Sequence, residues 1–411
     1  MQHDHEVAII GGGLVGASLA LALDRVGVST ALVEATPQGV MPPVFDQRNL
    51  SFAEATVNAL TALGVMQALK ARPGSIRRIH ASRAGDFGSV LLDAADHGRE
   101  CFGAVVVARD FGKALELRLS QLRHGVRHRP ARFLGFAEGG DACRAIRVGD
   151  EAGERILRAR LVVGADGAHS WVRDALGIAA ETHDYAQRLF VARLRTQRVP
   201  DCTAYERLRD DGPTALLPRG DGHYGLVHAV AATDADAVAL LDDAAFLARV
   251  QDAFGWRAGR FVSVGERSVH PAVRVVAQAT TAPRAVLVGN AAQSLHPIGA
   301  QGFNLGLRDA LTLAELIEGA DDPGSESLLQ SYSDRRREDR ERTLQFSHGL
   351  ARATSNPAPW LRPLRSAALL AVGAVPSLQS MLAGGAMGYR GEVPALCRSD
   401  APENAASQVV T

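Results

Sequence analysis

The sequence predicts a mixed α/β protein, α+β overall, in which a doubly wound parallel-sheet unit is interleaved with a second, mostly β unit. Three observations carry this. The chain opens on a strand-helix-strand pattern with a glycine-rich turn, two later strands also end in glycine turns (at Gly164 and Gly289), and alternating apolar and polar stretches fill much of the sequence between them.

The first unit is "EVAIIGGGLVGASLALALDRVGVSTALVEA". It predicts a strand over Glu6–Ile10, a helix over Leu14–Val26 and a strand over Thr30–Val33. Gly11, Gly13 and Gly16 form GxGxxG, and Glu34 closes the second strand. In this Rossmann-like arrangement Gly11 permits the tight turn, Gly13 leaves room for a pyrophosphate and Gly16 lets helix and strand pack closely. Glu34 can accept from ribose hydroxyls, which suits FAD or NAD and disfavours NADP at this position. The helix start supplies amides and partial positive charge for phosphate.

"RILRARLVVGADGAHSWVRDALGI" predicts a strand over Leu161–Val163, then Gly164–Gly167 and a helix containing Arg173. Asp166 either faces a polar ligand or caps the turn. "APRAVLVGNAAQ" repeats the pattern, with a strand over Ala285–Val288 ending in Gly289-Asn290. "LFVARLRTQRV" and the hairpin-like "TALLPRGDGHYGLVHAV" predict the β-rich unit. The division expected is 1–74, 97–180 and 269–348 for the nucleotide unit, 75–96 and 181–268 for the substrate unit, and 349–411 for a C-terminal helical segment and tail. "SDRRREDRERT" (Ser333–Thr343) reads as a solvated charged helix face, and the tail after Arg398 as disordered.

Bulk properties exclude several classes. With 411 residues, 46% hydrophobic content and 45 basic against 45 acidic residues, neither whole-chain disorder nor a global pull toward nucleic acid is expected. Cys101, Cys143, Cys202 and Cys397 are scattered, so no metal or dithiol centre is expected. A strand pattern from the N-terminus leaves no room for a signal peptide, which points to the cytoplasm. There is no run of about 18 apolar residues, the length that spans a bilayer. The nearest, Ser366–Tyr389, is interrupted by Pro376, Ser377, Gln379 and Ser380. It reads as a packed helical hairpin, with contact at the inner face of the cytoplasmic membrane as the alternative.

GxGxxG, GADG and "GNAAQSLHPIGAQGFN", in this order, make the chain resemble the group A FAD-dependent aromatic hydroxylases of the para-hydroxybenzoate hydroxylase type, over nearly its whole length. Within that group "FDQRNLSF", "AYERLRDDGPTALLPRGDGHYGLV", Asn290 and Gln293 are most similar to the ubiquinone-biosynthesis branch, in its 2-polyprenyl-6-methoxyphenol hydroxylase form. The resemblance implies that Gly11, Gly13, Leu14, Val15, Gly16 and Glu34 hold the adenosine diphosphate half of FAD. It places Arg48 near the pyrophosphate or ribityl chain, Asp166 near the cofactor's middle and Asn290 at the ribityl and phosphate oxygens. Pro297, Ala300, Gln301, Gly302, Phe303 and Asn304 would face the flavin ring, and Arg109 and Lys113 would lie along the cofactor. Lys113 stands where the family commonly has Gln, and Ala300 where it usually has Gly, which matters if position 300 needs positive φ.

The implied reaction is ring hydroxylation of a polyprenylated phenol with O2 and NAD(P)H, through a flavin C4a-hydroperoxide. With no second GxGxxG, NAD(P)H would meet the flavin transiently, or another reductase would serve. Amides at the helix start near Phe303–Leu307 would stabilise reduced flavin. His296 is a candidate acid-base group, though a His before Pro is also a common structural hydrogen-bonding residue; His223 and His228 are weaker candidates on an expected strand. The alternatives are hydroxylation of a soluble phenol, or a non-catalytic FAD subunit of a quinone-synthesis assembly.

Overall fold

The computed structural model describes residues 3–398 apart from 357 and 359; the tail after Arg398 lies outside them. Its first sheet is built on His5–Ile10, which pairs in parallel with Thr30–Val33 on one side and with the end of Gly153–Gly164 on the other. Gly125–His128 extends it beyond Thr30–Val33, and Ala285–Leu287 extends it beyond Gly164. An antiparallel ribbon, Arg132–Gly140 and Cys143–Asp150, continues from Gly153–Gly164.

Both faces of the parallel strands are covered, which explains why Val7–Ile10 reads as an unbroken apolar run. Val7 and Ile9 pack with Leu19, Leu23, Leu161, Val163 and Leu311. Ala8 and Ile10 face the other way, with Val33, Val162, Val172 and Leu287. The expected first helix is Leu14–Arg25, and it lies beside the helix Gly302–Ile317. Between those two helices Gly306 leaves no room: a Cβ there would stand 2.8 Å from Gly289 Cα and 2.9 Å from Val15 Cγ2.

The second sheet is nine-stranded and mostly antiparallel. Its main path runs Gln293–Ser294, Ser268–Ala277, Ala180–Thr196, Tyr224–Ala231, Thr214–Pro218, Thr203–Leu208, Arg78–Arg83, Ser89–Asp93, and the hairpin read from the sequence lies at its centre. The sheet therefore takes strands from beyond residue 268 as well as from before it. The helix Asp243–Phe254 covers one face through Phe246, Val250 and Phe254, against Phe190, Leu194 and Leu226. A small sheet, Asn49–Ala53, Gly103–Val107 and Gly74–Ile76, links the two units: a Cβ on Gly74 would strike Pro218 O at 2.0 Å.

Two expectations need correction. The charged run Ser333–Thr343 lies within the helix Glu326–Thr354, and it is not a fully solvated face: Arg336 and Asp339 are 2% and 0% exposed. Arg308 Nε donates to Asp339 Oδ2 at 2.7 Å, Arg336 bridges Asp339 and Asp309 at 2.8 Å each, and Gln293 Nε2 donates to Asp309 Oδ2 at 2.6 Å. Arg340 Nε closes the cluster on Gln293 Oε1. Sequence periodicity could not show this, because the polar residues of one helix are matched by polar residues of another.

Nor is the C-terminal segment a simply packed hairpin. Leu361–Ala374 and Pro376–Met387 meet at 88°, and the first helix buries no residue fully, whereas the second buries Ala383, Gly385 and Met387. No single helix among the described residues is long and apolar enough to cross a membrane.

Candidate active site

The loops after Ile10, Gly164 and Leu287 converge because their strands are neighbours in the parallel sheet, the arrangement that places ligands at strand C-termini in α/β folds. Gly11 has φ of +105°, and a Cβ there would stand 2.6 Å from Ala165 O; at Gly16 it would stand 2.0 Å from Gly11 O. The protein's own backbone demands both glycines. Gly13 differs, since its Cβ would meet only Val44 Cγ1, at an ordinary 3.7 Å. The absent side chain there leaves space.

The helix Leu14–Arg25 has no side-chain cap and no acidic residue in its first turn. Four amides at a helix start lack intrahelical partners, so those at Gly13–Gly16 remain available to an anion. Leu14 is partly buried, while Val15 wedges toward Gly289, whose φ is +58°. Glu34 stands at the end of the second strand, where its Oε2 accepts from Gly12 N at 2.8 Å and its Oε1 from Thr36 N at 2.7 Å. Each oxygen retains a lone pair, so it can take a sugar hydroxyl while also bracing the loop.

Asp166 serves the turn. Ser170 Oγ donates to its Oδ1 and Val172 N to its Oδ2 at 3.1 Å, tying it to the short helix Trp171–Ala175. Burial raises its carboxyl above the usual range, against those hydrogen bonds. Of the two readings of this residue, capping is what its side chain does, with its main chain beside Gly11. Asn290 is the opposite case: exposed at the third strand end, its amide makes no hydrogen bond among the described residues.

Arg48 is half-exposed and held by Asp46, its Nε 2.9 Å from Oδ1. Arg109 and Lys113 lie exposed on the helix Ala108–Leu119, with Arg109 N donating to Asp46 O at 2.8 Å and Lys113 58% exposed. Lys113 thus stands in solvent, with Asp110 as its ion-pair partner at 3.8 Å.

The loop leading into the helix Gly302–Ile317 starts at His296. Its Nδ1 accepts from Ile298 N at 3.2 Å, so Nε2 carries the hydrogen that goes to Gln187 Oε1 at 3.0 Å. Burial pushes its pKa down to about 4. His296 is neutral, 1% exposed and hydrogen-bonded within the protein at both ring nitrogens. His228 faces Phe246 on the helix-covered side of the sheet, burial taking it down to about 4. His223 precedes its strand, in the turn, with Nδ1 2.9 Å from Asp221 O.

Pro297 is exposed, and its carbonyl accepts from Ala300 N at 2.8 Å. Both Gly299 and Ala300 are left-handed, with φ of 70° and 50°. Position 300 does need positive φ, and alanine holds it. Gln301 folds back onto Gly299 O at 3.2 Å. Phe303 packs with Phe52 and Phe111, ring centroids 5.3 and 5.4 Å away.

Asn304 is 2% exposed and fully engaged. Its Oδ1 accepts from Ala53 N and Thr56 Oγ1, at 2.9 and 2.8 Å, and its Nδ2 donates to Ser51 O and Ala300 O, both at 2.9 Å. Its side chain is therefore not free for a ligand, and only its main-chain amide is. The helix Gly302–Ile317 also starts without a side-chain cap or acidic residue, and a Cβ on Gly299 or Gly302 would meet nothing within 4 Å. Nearby, Asn49 Nδ2 is buried without a partner while its Oδ1 takes Arg219 Nη1 at 3.0 Å.

Two uncapped helix starts, glycines that no protein atom requires, an unspent Asn290 and an orphaned Asn49 amide form a donor set for an extended anionic cofactor with a flat polar ring. FAD fits it. Sequence reading missed Asn49, whose orphaned amide shows only once the two units meet.

A family model described as FAD binding domain matches residues 4–347. A ubiquinone hydroxylase, UbiL, of Rhodospirillum rubrum is 32% identical over 377 residues, covering 90% of this chain and 86% of the relative. The 3-demethoxyubiquinol 3-hydroxylase of Escherichia coli is 30% identical, with 89% and 94% covered. The solved structure of p-nitrophenol 4-monooxygenase PnpA from Pseudomonas putida superposes with a TM-score of 0.75 at 19% identity, over 95% of this chain and all of that one, and so shows the shared fold.

Proposed function

Because this chain belongs to the FAD binding domain family and is an FAD-dependent monooxygenase, we propose that it hydroxylates the ring of a polyprenylated phenol in ubiquinone biosynthesis. O2 supplies the oxygen atom and NAD(P)H the electrons. When bound, FAD supplies the oxygen-activating redox chemistry.

The amides of Gly13–Gly16 would bind its pyrophosphate, with Glu34 on the adenosine ribose and Asn290 on the ribityl and phosphate oxygens. Amides at Gln301–Asn304 would lie against the pyrimidine edge of the ring, where preorganised donors stabilise developing negative charge. Pro297 and Ile298 would exclude water from the ring's reacting side, since a desolvated site strengthens every polar contact within it.

One observation favours a prenylated over a soluble phenol. The bent helix pair leaves Trp360, Leu364 and Met381 exposed at 69%, 61% and 65%, with Phe87 at 75% nearby, where its amide donates to Ser366 Oγ. Exposed apolar patches of this kind mark interaction surfaces. At the inner face of the cytoplasmic membrane, or within a quinone-biosynthesis complex, this one would take delivery of an apolar tail.

Purified holoenzyme given NAD(P)H, O2 and a prenylated phenol in lipid vesicles should form a product one oxygen atom heavier. The same ring without its tail should react at least tenfold less efficiently. A folded protein that cannot be reconstituted with FAD, or equal efficiency with and without the tail, would refute the respective parts of this reading.

A further inference from the structure

A cavity of about 420 Å³ opens on the face of the substrate sheet that the helix Asp243–Phe254 covers. Tyr205 and Arg207 line it from the strand Thr203–Leu208, with His80 and Ser82 in register opposite them on Arg78–Arg83. Leu208, next along the strand, alternates to the other face and packs with Ile298 of the loop leading into the helix Gly302–Ile317. The thickness of the sheet therefore separates this cavity from the candidate active site.

The remaining wall is the turn after the helix Asp243–Phe254, and it is rigidly built. Gly255 has φ of +87°, Gln251 Nε2 donates to Gly255 O at 2.7 Å, and Gln251 Oε1 accepts from Phe261 N at 2.7 Å. This clamp presents Trp256, 69% exposed, and Arg257 at the cavity. The Phe254 and Tyr205 rings meet edge to face, with centroids 5.7 Å apart.

Arg257 Nη1 donates to His80 Nε2 at 2.7 Å, which requires that nitrogen to carry a lone pair. Burial, and then the Arg257 charge, push the His80 pKa down to about 4, so the ring is neutral. Arg207 Nη1 donates to Ser82 Oγ at 3.0 Å, while its Nε is buried without a partner. Neither Arg207 nor Arg257 forms an ion pair among the described residues. Burial, then the Arg257 and Arg209 charges, lower the Arg207 pKa, so the two guanidiniums repel each other across the cavity.

No neighbouring carboxylate answers them. Asp201 binds Arg78, and Asp211 binds Arg209. Glu206 borders the cavity, but alternation turns its side chain to the opposite face, and burial alone raises its carboxyl to about 7. A partly buried cation without a counter-charge is costly, and a guanidinium fork matches the oxygens of a carboxylate or phosphate. Aromatic walls with a few convergent polar groups, in a volume of this order, are what small-ligand pockets have.

We infer that this cavity is a second binding site, separate from the flavin site, for a flat ring bearing a carboxylate or a phosphate. Arg207 and Arg257 grip the oxyanion, and Tyr205, Phe254 and Trp256 hold the ring.

The test titrates benzoate, phenyl phosphate, phenol and inorganic phosphate into the FAD-loaded full chain, by calorimetry and by tryptophan emission. At least one of the two ring oxyanions should bind at millimolar concentration or below and change the emission of Trp256, a change absent from Trp256→Phe, while flavin absorbance stays unmoved. The tighter of the two identifies the natural oxyanion. Phenol, which lacks the charge, and inorganic phosphate, which lacks the ring, should each bind at least about tenfold more weakly, the order of one lost charged hydrogen-bond partner. Arg257→Ala should weaken the ring oxyanion by a similar factor; its side chain is exposed, so folding should be spared, and Arg257→Lys should recover part of the loss. Absence of binding by both ring oxyanions, affinity unchanged in Arg257→Ala, or phenol binding as tightly as benzoate overturns the inference. So does binding that moves the flavin spectrum, since it places the ligand at the flavin. None of these outcomes bears on the hydroxylase reading, which turnover of a prenylated phenol tests separately.

Discussion

The helix starts at Leu14 and Gly302 both present uncapped amides, yet the chain prepares them differently. At the first, Gly11 and Gly16 are fixed by contacts within the backbone, 2.6 and 2.0 Å for an added Cβ. At the second, Gly299 and Gly302 face open space, and shape comes from side chains: Asn304 ties the helix to Ser51, Ala53 and Thr56, and His296 fixes the turn before it. A phosphate site can be built from backbone alone; a site for a ring that must be reached by substrate needs walls brought from other parts of the chain.

Breaking the backbone-built start should have the largest effect. Gly16→Ala should abolish FAD retention, read as loss of flavin absorbance in purified protein, and lower thermal stability with it. Gly13→Ala sharpens the contrast: with no protein clash, its apo stability should change by less than about 0.5 kcal/mol, the ordinary range for a substitution free of special contacts. Its FAD affinity should nevertheless drop at least tenfold by titration. If apo stability falls as far as in Gly16→Ala, Gly13 serves packing and not phosphate.

At the side-chain-built start, Asn304→Ala should cost about 2–4 kcal/mol in chemical denaturation, as several buried groups lose partners worth about 1 kcal/mol each. FAD should still bind through the first helix, with the ring more exposed and its fluorescence stronger. Unchanged flavin fluorescence would show that the ring does not depend on this helix start.

The smallest effect is expected at Ala300. A left-handed alanine is strained by about 1–2 kcal/mol, and glycine relieves this at an unfolded-state cost of about 0.4–1 kcal/mol. Ala300→Gly should therefore stabilise by about 0.5–1 kcal/mol in denaturant, with FAD content unchanged. A loss of stability would mean that the loop relies on the alanine methyl.

The same contrast explains what could be read from the sequence. GxGxxG was legible because its spacing and its strand-helix-strand setting are local, although the atom that excludes a side chain at Gly11 is Ala165 O from a later turn. The hairpin at Thr214–Ala231 was legible from alternation and its glycine turn. Gln293 marked a branch of the family, but nothing local showed that it joins Asp309 to Arg340 inside a buried ionic cluster. His296 reads as a chemical group in the sequence, and nothing local shows that both its ring nitrogens are hydrogen-bonded, one of them to Gln187 more than a hundred positions earlier.

The strand order also has a consequence in time. His5–Ile10 is completed on one side by Gly153–Gly164, which in turn waits for Ala285–Leu287, and the first helix leans on Gly302–Ile317. A ribosome making this 411-residue chain must pass position 317 before the cradle exists in full. Domains fold as units during synthesis, and sequence-distant parallel pairings are slow to form. The glycine turn at residue 11 therefore waits without its neighbours until residue 317 has been made, and flavin can act only as a late partner that locks strands already paired.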